Sequence, residues 1–144
     1  MVDTMELFRW IGIGGCFFLS ALGAAIGMVV NGPAVIGAWK KCYVQKKPAP
    51  FILLVFGATC LSNIIYGFIL LLLLPRNGDP YMLLTLGLAA GFAIGVVAIT
   101  QAMCSAAAAD AYAETGQGFA NNLMIVGIAE TISLFAVVFT LMVF

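Results

Sequence analysis

The sequence predicts an all-α, polytopic membrane protein whose four transmembrane helices form two duplicated helical hairpins and assemble into a ring. Three observations carry that expectation. The chain is 64% apolar and only 8% charged, with a mean hydropathy of +1.15, which is too apolar for an ordinary soluble domain. Its apolar residues fall into four long runs, 8–38, 51–74, 81–112 and 118–143. Two of these runs share a glycine pattern, GAAIG at 23–27 and GFAIG at 91–95.

A helix needs about twenty residues, at a rise of about 1.5 Å each, to cross the hydrocarbon core. The first and third runs are longer than that and should project beyond it. Residues 1–10 carry Asp3, Glu6 and Arg9, without the basic start and small-residue cleavage pattern of a simple secretory signal, although an uncleaved first helix could still direct insertion. Pro33 falls inside the first run and is expected to kink it. Pro48, Pro50, Pro75 and Pro80 fall in or beside the connections and mark helix boundaries.

The first connection is read as containing Lys40, Lys41, Lys46 and Lys47. The positive-inside rule places it in the cytoplasm. By alternation the turn near Gly116 and Gly118 lies on the same side, whereas 75–80 and both termini are extracytoplasmic. Asp110 and Glu114, an i,i+4 pair near that turn, are expected to be solvated. The repeat divides the chain into a first transmembrane hairpin at 1–74 and a second at 75–144. Two crossings per unit restore the orientation, so the duplication is parallel, unlike an inverted transporter repeat.

Small residues concentrate on the odd-numbered helices. Gly15, Gly23 and Gly27 in the first, and Gly87, Gly91 and Gly95 in the third, recur at multiples of four residues. Such residues share a helix face and permit close backbone approach. Their repetition in both hairpins favours tight packing around a ring over packing within a monomeric bundle.

Other chemistries are disfavoured. Six acids balance six bases and histidine is absent, so there is no basic field for nucleic acid. Cys16, Cys42, Cys60 and Cys104 are widely separated. They lack C-x-x-C spacing and are read as buried, inert thiols. Nothing calls for an organic cofactor.

The last run carries a single carboxylate, Glu130, near its middle. An ionisable group at that depth is expensive and is a functional hypothesis by default. Ser62 and Asn63 lie near the same depth in the second helix and Gln101 in the third, with Thr59 and Tyr66 in the neighbourhood. Ser62 and Tyr66 are four residues apart and can share a helical face. Buried polar groups of this kind need partners, and two arrangements fit. In one, Glu130 has a raised pKa and carries a proton. In the other, Glu130 neutralises a sodium ion while oxygens of Thr59, Ser62, Asn63 and Gln101 replace its hydration shell. The bland reading is that Ser62, Asn63 and Gln101 merely join helices.

The duplicated hairpins, the glycine-rich odd helices, SNIIYG at 62–67, Gln101 and AETISLF at 129–135 resemble the proteolipid (the K- or c-subunit) of V-type and A/V-type rotary ATPases. The resemblance covers nearly the whole chain. It implies a homo-oligomeric ring of identical subunits in the membrane V0 sector, with the odd helices inside and the even helices outside. It further implies contacts with membrane lipids, a V0 stator subunit and central-stalk subunits at the cytoplasmic loops. Glu130 matches the ion-carrying glutamate, Gln101 the third-helix glutamine, and Thr59 a position contributing a backbone carbonyl. Ser62 and Asn63 stand where sodium-transporting bacterial members have a Thr-Gln pair, with Tyr66 retained. Thr59-Cys60-Leu61 replaces the Pro-Gly element that often precedes that pair.

The function this implies is carriage of Na+ or H+ through the membrane by rotation coupled to ATP hydrolysis or synthesis. The chain itself has no ATP site, and its expected location is a bacterial cell membrane. The retained oxygen set leans toward sodium. An autonomous channel or secondary transporter using Glu130 is the main alternative, and a purely structural four-helix subunit is the third.

Overall fold

The structure, a computed structural model, describes residues 3–144. These residues form α1 (Thr4–Val44), α2 (Leu53–Ala58), a 3-10 turn (Thr59–Leu61), α3 (Ser62–Leu73), α4 (Pro80–Thr115) and α5 (Phe119–Met142). With α2, the turn and α3 taken as one interrupted helix, the described residues contain four helices long and apolar enough to cross a membrane. The chain is an integral membrane protein with an all-α fold.

Local chemistry sets the helix ends. The Asp79 carboxylate accepts from the N–H groups of Tyr81 and Met82 at 2.8 and 3.1 Å. With Pro80 in the first turn, this gives α4 a capped start. At its other end Gly116 adopts a left-handed conformation with φ 66°, which a side chain would strain.

Two boundaries differ from the expectation. α1 runs on through Lys40 and Lys41 to Val44, so these lysines belong to its projecting end. Lysine is a good helix former, and its ammonium group is easily hydrated there. The second apolar run is broken at Thr59–Leu61. Pro33 lies within α1, which remains helical across it.

α1 packs most extensively on α4, with α2 and α3 against α1, and α5 against α4 and α3. The glycines explain the close α1–α4 seam. A Cβ on Gly23 would run into the backbone of Gly95, and one on Gly87 into the Gly12 carbonyl. A Cβ on Gly91 would sit 2.6 Å from Cys16 Cα, and one on Gly95 2.6 Å from Leu19 O. Gly27 faces Ala98 and Ala102, and Gly15 faces the Leu88 side chain. These glycines thus bring α1 and α4 together within one chain, the bundle packing that the sequence favoured less than packing around a ring.

Both ends are tied between hairpins. Arg9 Nε donates to Gly78 O at 3.1 Å, joining the start of α1 to the connection before α4. At the opposite end Lys41 pairs with Asp110 at 3.1 Å and with Glu114. The two carboxylates are exposed as expected, and they are also paired. Cys16, Cys42 and Cys60 are buried, but Cys104 is exposed on α4. That corrects the reading of all four thiols as buried.

Candidate functional site

An open cavity of about 530 Å³ lies where α2, α3, α4 and α5 meet, lined among others by Thr59, Ser62, Gln101 and Glu130. Gly127 also faces it, so α5 presents its carboxylate beside a gap with no side chain. Glu130 is half-buried. Among the described residues the ion pairs belong to Lys41 alone, and Glu130 has no cationic partner. Tyr66, one turn beyond Ser62 on α3, donates its hydroxyl to Glu130 Oε1 at 3.0 Å.

Asn63 does not line this cavity. It is fully buried, with Nδ2 donating to Gln101 Oε1 at 2.6 Å. Its Oδ1 accepts from Ser133 Oγ at 2.5 Å. Successive helix residues point about 100° apart, so Ser62 opens to the cavity while Asn63 turns into the packing of α4 and α5. Gln101 Nε2 donates in turn to Val126 O at 3.5 Å. Ser133, Asn63, Gln101 and Val126 therefore form a continuous chain of hydrogen bonds across three helices. Satisfied networks of this kind fix geometry where no water competes.

The hydroxyls of the broken helix are also engaged. Thr59 Oγ1 is 2.6 Å from Ser105 Oγ and donates to Phe56 O at 3.1 Å; with Ser105 as donor in the first contact, both bonds form together. Ser62 Oγ donates to Thr59 O at 2.9 Å. Its lone pairs remain available to the cavity.

The sequence reading missed Ser105 and Ser133. Helical spacing held the signal, since Ser105 follows Gln101 by four residues and Ser133 follows Glu130 by three, each on a shared face.

Residues 84–143 match the family model of the ATP synthase C-subunit. The match takes in most of α4 and α5, and with them Gln101, Ser105, Glu130 and Ser133. Proteins of that family are non-catalytic, membrane-embedded components of rotary ATPases that transport ions. The second hairpin is thus similar to a rotary-ATPase proteolipid, while the first hairpin lies outside the matched residues. Comparison with curated proteins gives no significant match.

Proposed function

We propose that the chain is a proteolipid subunit of the rotating membrane ring of a V-type ATPase, and that Glu130 carries the transported cation. One observation carries this reading. The only carboxylate deep within the apolar runs is held by Tyr66 and opens onto a cavity shared with Thr59, Ser62 and Gln101. A charge at the bilayer centre costs about 2.5–3.5 kcal/mol on insertion scales. A carboxylate that crosses lipid is therefore best neutralised first, by Na+ or by H+.

Sodium is the first reading of the cargo. The Glu130 carboxylate supplies the single negative charge, and the cavity-lining oxygens of Thr59, Ser62 and Gln101 replace water. A specific observation favours the proton as the second. Gln101 Oε1 already accepts from Asn63, and Asn63 Oδ1 is spent on Ser133. That reduces the free oxygen set, and among the described residues Tyr66 is the side chain hydrogen-bonded to Glu130.

In the rotor, each Glu130 takes its cation from one half-channel beside a stator subunit, travels neutralised along the lipid-facing arc, and releases it through the other. A basic stator group opposite Glu130 favours release by pairing with the bare carboxylate. Central-stalk subunits at the loops bearing Lys46, Lys47 and Gly116 transmit rotation, with those loops cytoplasmic.

The test is ATP-driven ion uptake by the reconstituted complex carrying Glu130→Gln. The expected result is an assembled ring without transport; retained uptake overturns the carrier role. Labelling of Glu130 by a carboxyl-reactive reagent separates the cargoes. Protection by sodium at fixed pH supports Na+, and protection that follows protonation alone supports H+.

A further inference from the structure

Asn31 is fully buried on α1, and neither the glycine seam nor the cavity accounts for it. Its Nδ2 donates to Phe56 O at 3.2 Å and to Gly57 O at 3.1 Å. Those carbonyls belong to the last turn of α2, immediately before the 3-10 turn at Thr59–Leu61. Where i→i+4 bonding gives way to i→i+3, the preceding carbonyls lose their usual donors. Only the amide's nitrogen can donate to two carbonyls, which sets its orientation. Its Oδ1 is left buried with no partner. Leucine, of similar size, would avoid that orphaned acceptor, so what this position supplies is the donated bonds, to the two carbonyls and, at 3.7 Å, to Cys60 Sγ within the 3-10 turn.

The carbonyls it holds lead into the site. Phe56 O also accepts from Thr59 Oγ1, and Thr59 O accepts from Ser62 Oγ. Thr59 and Ser62 both face the cavity with Glu130. We infer that Asn31 is a positioning residue for the cation site: by capping the carbonyls of Phe56 and Gly57 it holds the helix break that presents Thr59 and Ser62 opposite Glu130. This rests on the cation-site reading proposed above. Asn31 acts from the far side of the broken helix and is not itself a ligand.

The experiment uses assembled rings of wild type, Asn31→Leu, Asn31→Ala and Ser20→Ala, with carboxyl-reagent labelling of Glu130 titrated against sodium and against pH. Ser20 is the control, a buried α1 hydroxyl that donates to Phe17 O of its own helix. Losing a residue that orients cation ligands weakens binding by about 10- to 100-fold. The expected result is a shift of about that size in the sodium midpoint for both Asn31 variants, or a matching displacement of the protonation midpoint if the cargo is H+. Ser20→Ala should leave both midpoints at the wild-type values. Should Asn31→Leu fail to assemble, Asn31→Ala carries the test, since truncation introduces no steric conflict. Wild-type midpoints in the Asn31 variants, or an equal shift in Ser20→Ala, overturn the inference. Wild-type labelling that responds to neither sodium nor pH overturns the cation-site reading itself, and this inference with it.

Discussion

The two sides of α4 bury opposite chemistry. Toward α1 it offers Gly87, Gly91 and Gly95, and the backbones close to a spacing that leaves no room for a side chain. Toward the 3-10 turn, α3 and α5 it offers Ser105 and Gln101, and the elements are joined by side-chain hydrogen bonds beside an open cavity. In a membrane, lipid is as apolar as the helix surface, so association depends on packing and interhelical hydrogen bonds. This chain uses the first to build a rigid central pair and the second to hold a site on it. An atom added at Gly23, Gly87, Gly91 or Gly95 meets main chain, whereas the polar face depends on side chains that pair with one another.

The seam should be the easiest part to break. In Gly23→Leu the new side chain starts inside the backbone of Gly95, where no rotamer change gives relief. Overpacking typically costs 1–3 kcal/mol and sometimes more, and this site should lie at or above about 3 kcal/mol because the obstacle is main chain. Loss of the folded chain in detergent, followed by thermal unfolding, is the expected outcome. Gly37→Ala is the matched control, since its added Cβ meets nothing within 4 Å. It should be neutral or gain up to about 1 kcal/mol from helix propensity. Equal losses in the two variants would mean that the seam is not specially close.

The polar face should break more gently and cooperatively. Ser133→Ala leaves Asn63 Oδ1 without its donor, and Asn63→Leu removes two of the three links of the chain, leaving Gln101 Nε2 on Val126 O. Interhelical hydrogen bonds in membranes average about 0.6 kcal/mol with a maximum near about 1.7, so Ser133→Ala should cost about 1 kcal/mol. Once Asn63 is leucine, removing the Ser133 hydroxyl should cost less. A double-mutant cycle in detergent should therefore give a coupling of about 0.5 kcal/mol or more. Strict additivity would show that the two side chains do not act as one network.

These two faces were unequally legible in the sequence. Apolar run length gave four crossings directly, and a regular glycine spacing exposed the seam, although Gly12 escaped because it falls outside the four-residue series. The break at Thr59–Leu61 carries no Gly or Pro of its own, and the donor that satisfies it comes from Asn31, 25 residues before Phe56. Only the fold brings that amide to those carbonyls. Ser105 and Ser133 stood at helical spacing from Gln101 and Glu130, yet a hydroxyl in such a helix often bonds only its own backbone. Thr140 does so with Ala136 O at 2.6 Å, and Thr100 with Val97 O at 2.9 Å. Sequence alone does not separate those hydroxyls from the two that bridge helices. Neighbouring positions also diverge, for Ser62 reaches the cavity while Asn63 turns away from it.

The smallest effect is expected at the end of the α1–α4 pair, where α4 meets Lys41 through Asp110 and Glu114. The same two helices are in contact there, but with side-chain relative exposures of 63% for Asp110 and 55% for Glu114. Exposed ion pairs contribute little because water already solvates both partners and holding long side chains together opposes the gain. Lys47 Nζ also donates to Glu114 O at 3.3 Å, so a second ammonium remains nearby when Lys41 is removed. Lys41→Ala should leave thermal unfolding in detergent unchanged within error at high salt, with at most a slight loss at low salt, where screening is weakest. A large loss that persists at high salt would show that the seam depends on its charged end. An unchanged variant would place its hold in the glycine contacts deeper in the membrane.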